Sequence, residues 1–123
     1  MSALFVLAMA VAAADMRPVS AGIEVPNAIV RQHNAYVTCQ DDHFDISKVT
    51  DQQAFVAEVE KAIAACKNQK SALMQDAEKV LASAPDYADP AKRQHALCEA
   101  FNSYDDLRRA MALGTQTYTV TCR

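Results

Sequence analysis

The stretch DQQAFVAEVEKAIAACKNQKSALMQDAEKVLAS, Asp51 to Ser83, decides the fold class. Val56, Val59, Ile63, Cys66, Lys70, Leu73, Ala77, Val80 and Ala84 recur at alternating spacings of three and four, and all but Lys70 are apolar. That period is the seam of an amphipathic helix. A straight helix over these residues would be ~50 Å long at 1.5 Å per residue, which is long for one small domain. The polar run Lys67 to Ser71 is where it would break, yet the run holds neither Gly nor Pro, so continuity is expected. Thr50 with Gln53 has the form of a capping box for its start, with Val49 and Ala54 as the flanking staple.

Upstream, Asn27 to Asp42 carries Ile29, Val30, Tyr36, Val37 and Cys39 at helical spacing, and the polar segment Asp41 to Ser47 reads as the connection. Downstream, Ala84 to Ala88 is a turn. Asp89-Pro90 then starts a further helix, with an acid at the N-cap and proline at the first helical position. Its stripe is Leu97, Phe101, Tyr104, Leu107 and Met111; Arg108 and Arg109 oppose the dipole in the last turn, and Gly114 supplies the C-terminal cap. Short connections make these helices antiparallel neighbours. The expected fold is all-α: a small, disulfide-stapled antiparallel bundle of three to four helices over residues 27–123, with a short extended C-terminal tail.

From Thr115 to Arg123 the period changes to two, with threonines on one face and Gln116, Tyr118, Val120 and Cys122 on the other. Such a strand must pair. Ser20 to Val25 is the expected partner, within an extended arm, residues 15–26, punctuated by Pro18, Gly22 and Pro26.

Residues 1–14 are apolar apart from Ser2 and end in Ala12-Ala13-Ala14. The run is too short for a membrane-spanning helix but fits the apolar core and cleavage site of a secretory signal peptide, although no Lys or Arg precedes it. Cleavage after Ala14 would leave one domain without a membrane anchor, placed in the periplasm or cell exterior. An oxidising compartment makes Cys39, Cys66, Cys98 and Cys122 a disulfide framework with three possible pairings. In an up-and-down bundle, Cys39 lies level with the end of the last helix, where the tail brings Cys122. The expected bridges are Cys39 to Cys122 and Cys66 to Cys98. The second would need a break near Asn68, because a straight hairpin offsets those two residues by roughly 13 Å. The alternative, Cys66 to Cys122 with Cys39 to Cys98, fits one bridge and misfits the other more.

The chain has 12 basic and 15 acidic residues, a formal charge of −3, and so lacks the footprint of a nucleic-acid or anionic-membrane binder. There is no C-x-x-C, G-x-S-x-G, Ser-x-x-Lys or phosphate loop. The acids Asp41, Asp42 and Asp45 with His43 fail the EF-hand pattern, since the sixth position is not Gly and the twelfth is Gln52. His33, His43 and His95 have no histidine partner at i+4. His95, Glu99, Asn102 and Asp106 form a polar stripe that would serve as an acid–base pair only if it faced a cleft; it reads as the solvent face of the last helix. No catalytic, cofactor or metal site is therefore expected. Lys70 is expected to snorkel out of the seam. The expected role is non-enzymatic binding of a protein partner, or of a second copy, through the helical surface carrying Ile63, Lys70, Leu73, His95 and Glu99. The alternative is a carrier of a small apolar ligand, with a cavity between the seam helix and the last helix lined by alanines and Phe101.

Overall fold

The computed structural model describes residues 16–122, so the expected leader, residues 1–14, lies outside the described residues. The elements in order are β1 (Met16–Pro18), α1 (Val30–His43), α2 (Gln52–Ala65), α3 (Lys67–Ala82), α4 (Pro90–Leu97), α5 (Tyr104–Leu113) and β2 (Thr117–Thr119). A π-helical turn, Cys98–Ser103, joins α4 to α5. The small helical, disulfide-stapled domain read from the sequence is the one observed.

The local signals act where they stand in the chain. Asp89 accepts a hydrogen bond from Ala91 N–H at 3.0 Å, which caps α4 just ahead of Pro90. Gly114 ends α5 at φ 70°, a left-handed conformation that a side chain would strain. At the start of α2 the cap is Asp51 rather than Thr50. Its carboxylate accepts from Ala54 N–H at 2.7 Å, so the Thr50–Gln53 box is not formed. An ionised cap at the positive end of the dipole is the stronger acceptor, worth on the order of 1 kcal/mol.

The seam helix is broken, contrary to the expected continuity. Cys66 sits between α2 and α3 at φ −96°, ψ 7°, one residue before the polar run. The backbone bonds continue through it: Cys66 N–H reaches Ala62 O at 3.1 Å and Lys70 N–H reaches Cys66 O at 2.8 Å. The change of direction is thus one residue wide. It lets α1 pack on both α2 and α3, which carries Cys39 to the junction.

That arrangement corrects the expected disulfides. Cys39 bonds Cys66, with Cα atoms 6.1 Å apart, and Cys98 bonds Cys122, at 5.5 Å. The expectation had α1 running level with the ends of a straight rod, whereas α1 crosses its midpoint. The second bridge follows from the tail. The stretch from Gly114 to Cys122, extended at ~3.3 Å per residue, spans ~26 Å, close to the ~23 Å that the helix rises from Cys98 to Leu113. The tail runs back along α5, fastened by Thr121 Oγ1 to Asp106 at 3.0 Å, and arrives level with Cys98.

The strand partner is also shifted. β2 pairs antiparallel with β1, Arg17 opposite Tyr118, rather than with Ser20 to Val25. The latter segment makes a 3₁₀ turn, Val19–Ala21, and then bends at Gly22. The expected alternation holds for Tyr118, Val120 and Cys122, which are buried while Thr117, Thr119 and Thr121 are exposed; Gln116 is exposed as well.

The main core gathers Ile29, Tyr36, Cys39, Cys66, Ala77, Leu81, Leu97, Ala100 and Phe101, and a smaller one under the tail holds Ala110, Tyr118, Val120 and Cys122. Every seam position from Val56 to Ala84 is buried or half-buried. The amphipathic face is covered by the fold itself.

Candidate functional site

The arm, α4 and the tail enclose a trough. A hollow of about 770 Å³ is lined by residues that include Ala21, Val25, Pro26, Tyr87, Lys92 and Ala96. A smaller one, about 180 Å³, is lined by Met16, Pro18, Val120 and Cys122. Arg17, His95 and Glu99 line both, so the two hollows meet across these three side chains.

Glu99 is only 6% exposed. This corrects the expected solvent face: the π turn widens the helix by one residue per turn and buries Glu99, Ala100 and Phe101 in succession. A carboxylate at that depth needs a partner. Arg17 on β1 supplies it as a two-pronged ion pair, with guanidinium nitrogens 2.6 and 2.8 Å from the two carboxylate oxygens. That contact holds the Glu99 carboxyl below the usual carboxylate range and raises Arg17 further. Tyr118 donates its hydroxyl proton to Gly22 O at 3.0 Å, tying the bend of the arm to β2. His95 is exposed, its Nε2 3.8 Å from Glu99. Lys92 lies over the Tyr87 ring at 4.9 Å and, among the described residues, has no carboxylate within ion-pair distance. The floor of the trough is therefore a neutral charge pair, and its rim carries the Lys92 amine, the His95 imidazole, the Tyr87 ring and the Glu24 carboxylate.

A second polar group lies in the core. Asp105, 3% exposed, accepts from Tyr36 Oη and Gln40 Nε2 at 2.6 Å each and from Lys70 Nζ at 2.8 Å. Lys70 therefore does not snorkel to solvent as expected; it turns inward to a carboxylate of its own chain. Burial, then the bond to Asp105, pushes the Tyr36 phenol well above its ordinary value. None of these residues lines either hollow, and their bonds tie α1, α3 and α5 together.

The other sequence candidates disperse. Ile63 and Leu73 are half-buried, Leu73 against the main core. Neither lines the two hollows that His95 and Glu99 line. His33 is half-buried, its Nδ1 2.7 Å from Ala100 O and its ring edge-on to Tyr104, and burial pushes its pKa down. Asp41 pairs with Arg108 at 2.9 Å, while Asp45 caps the turn at Ser47 and its backbone N–H donates to Glu58. Asp41 and Asp45 are thus spent on intramolecular bonds. Asn102 and Asp106 bond Cys98 Sγ and Thr121.

Sequence reasoning passed over Arg17 and Asp105, which organise the two polar groups. Arg17 was one charge in an arm full of turn signals, and Asp105 sat one residue outside the polar stripe. Only the separations of 82 residues to Glu99 and 35 to Lys70 give them their roles. No family model, curated protein or solved structure matches the chain.

Proposed function

We propose that the protein is an exported, non-enzymatic binding module that takes a segment of a protein partner along the trough crossing Arg17, His95 and Glu99. The observation that carries this reading is the paired hollow. It is concave, mixed apolar and polar, and built by three separate pieces of chain that a disulfide and a buried ion pair hold together, the kind of preorganised surface that recognition favours. Export rests on the leader-like residues 1–14 and on two disulfides. Among the described residues no helix is long and apolar enough to cross a membrane. The partner surface moves from the seam helix, whose apolar face is covered, to the arm and α4. A polar rim around an Arg–Glu pair offers an extended segment hydrogen-bond partners and one exposed amine. Among the described residues lining the hollows, His95 has no Ser, Thr or free Cys beside it and Glu99 is committed to Arg17, so the site supports binding better than acid–base chemistry. The carrier reading is less supported, because Phe101 and the neighbouring alanines fill the place its cavity would need.

The test is partner capture from an envelope extract by the mature domain and by single variants. Lys92→Glu and Tyr87→Ala should lose the captured protein, while Gln75→Ala and Lys79→Glu, on the exposed face of α3, should keep it. Capture that survives the trough variants, or no gain of mass with any protein, would overturn the reading.

A further inference from the structure

A third cluster lies at the other bridge. His43, the last residue of α1, is one turn beyond Cys39, and its Nδ1 is 3.9 Å from Cys39 Sγ and 3.7 Å from Cys66 Sγ. All three ligand-type atoms fall within 4.8 Å of one another. In the oxidised protein the sulfurs are bonded to each other and offer no thiolate. We propose that, once a dithiol reductant opens Cys39–Cys66, the two thiolates and His43 form a three-ligand site for a borderline-soft divalent cation of the zinc class, the metal replacing the staple.

The distances carry the argument. A tetrahedral ion with sulfur at ~2.3 Å and nitrogen at ~2.0–2.1 Å sets sulfur and nitrogen ~3.5–3.6 Å apart and two sulfurs ~3.8 Å apart. The imidazole nitrogen is already within a few tenths of an ångström of that separation from both sulfurs. Only the sulfurs must part, and Cα atoms 6.1 Å apart leave room for that by side-chain rotation. Nδ1 also lies 2.9 Å from Cys39 O, a bond that holds the ring against the bridge and would be given up on ligation through that nitrogen, the ring proton moving to Nε2. Two thiolates and a dication sum to zero charge, which suits a place where Cys39 and Cys66 are 6% and 0% exposed. His43 is exposed, so the fourth position and the entry path open to solvent.

The chemistry balances in two steps. The dithiol gives two electrons and two protons to the bridge, becoming a disulfide and leaving two thiols; the cation then displaces both thiol protons to solvent. Among the described residues the second bridge has no such companion. Cys98 and Cys122 have Asn102 Nδ2 at 3.6 Å and Ser103 Oγ at 3.2 Å, a weak donor contact and a hydroxyl rather than an imidazole.

The experiment reduces the purified protein with a phosphine, which supplies no competing thiol, and adds Co²⁺ as the spectroscopic probe and Zn²⁺ as the protecting ion. Expected are one cobalt per chain with a thiolate charge-transfer band and a tetrahedral ligand-field pattern. Zn²⁺ should slow alkylation of Cys39 and Cys66, read peptide by peptide, at least about tenfold, and leave Cys98 and Cys122 unprotected. His43→Ala, a change at an exposed side chain, should weaken cobalt binding at least about tenfold, and the oxidised protein should show no thiolate band. Equal protection of all four cysteines, a cobalt signal without thiolate character, or full affinity in His43→Ala would each overturn the proposal. Should reduction loosen the fold, helix content that returns with zinc supports the site, and content that does not return refutes it.

Discussion

Removing Arg17 should cost more than removing the charge it pairs with. The Glu99 side chain is 8% exposed and that of Arg17 29%, so the two halves of the ion pair leave different residues behind. Arg17→Ala strands a carboxylate whose one other ion-pair-type contact among the described residues is the His95 ring, 3.8 Å away. Breaking one side of a buried pair costs about 3–5 kcal/mol. Partial exposure of the arginine, and the freedom of the arm to fray, place the expected loss at about 2–3 kcal/mol at pH 7. The stranded group can also relieve itself by taking a proton, so its pKa should move from below the usual range to above it, and the loss should shrink as pH is lowered toward ~5. Glu99→Gln leaves a guanidinium that reaches water and the Tyr118 hydroxyl at 3.5 Å, for about 1 kcal/mol. In the double variant no charge is stranded, so it should be more stable than Arg17→Ala alone. Urea unfolding of the four proteins at pH 7 and pH 5 measures the cycle. Hydrogen exchange at Val19 N–H, bonded to Gln116 O at 2.8 Å, reports whether the arm opens first. An Arg17→Ala loss no larger than that of Glu99→Gln, or losses that add in the double variant, would refute the reasoning.

The core network should show the opposite asymmetry, because its carboxylate keeps two neutral donors when the cation is removed. Asp105→Ala leaves Lys70, Tyr36 Oη and Gln40 Nε2 without their shared acceptor and should cost about 3–5 kcal/mol, whereas Lys70→Met keeps two donors on the carboxylate and should cost less, both read by denaturant unfolding. Acid should destabilise the fold in two windows. His33 has a folded pKa below its ordinary 6.5, so the unfolded chain takes the proton first and stability falls as pH drops below about 6.5, down to the lowered folded value. Glu99 also has a lowered folded value, so its contribution is present above 4.5 and is lost as pH falls through that folded value; His33→Gln should flatten the upper window alone in melting temperature against pH. The oxidised protein should contain no free thiol by titration under denaturing conditions. With bridges that span 27 and 24 residues, loss of either should cost about 3.5 kcal/mol in the chain-entropy account, measured by unfolding of Cys39→Ala/Cys66→Ala and Cys98→Ala/Cys122→Ala.

What the sequence by itself determined is what neighbours a few residues apart can decide. The period of three and four from Val56 to Ala84 specifies an amphipathic helical face. Asp89-Pro90 and Gly114 mark the bounds of the α4–α5 rod, and the alternation of Tyr118, Val120 and Cys122 with threonines specifies a half-buried strand. Each works through a capping bond, a left-handed φ or a repeat that needs no distant partner. The register of the pieces was decided only by the tertiary structure. One off-helix residue at Cys66 turns α1 across the junction, and that choice reassigns both disulfides. The π turn at Cys98–Ser103 moves Glu99 from the solvent face to the floor of a trough, where burial makes the otherwise unremarked Arg17 indispensable. Lys70 broke the seam pattern in the sequence, and its reason is Asp105 on another helix. Ionic partners and disulfide partners are set by where buried charge and sulfur meet in space, and the spacing of residues along the chain carries no record of that meeting.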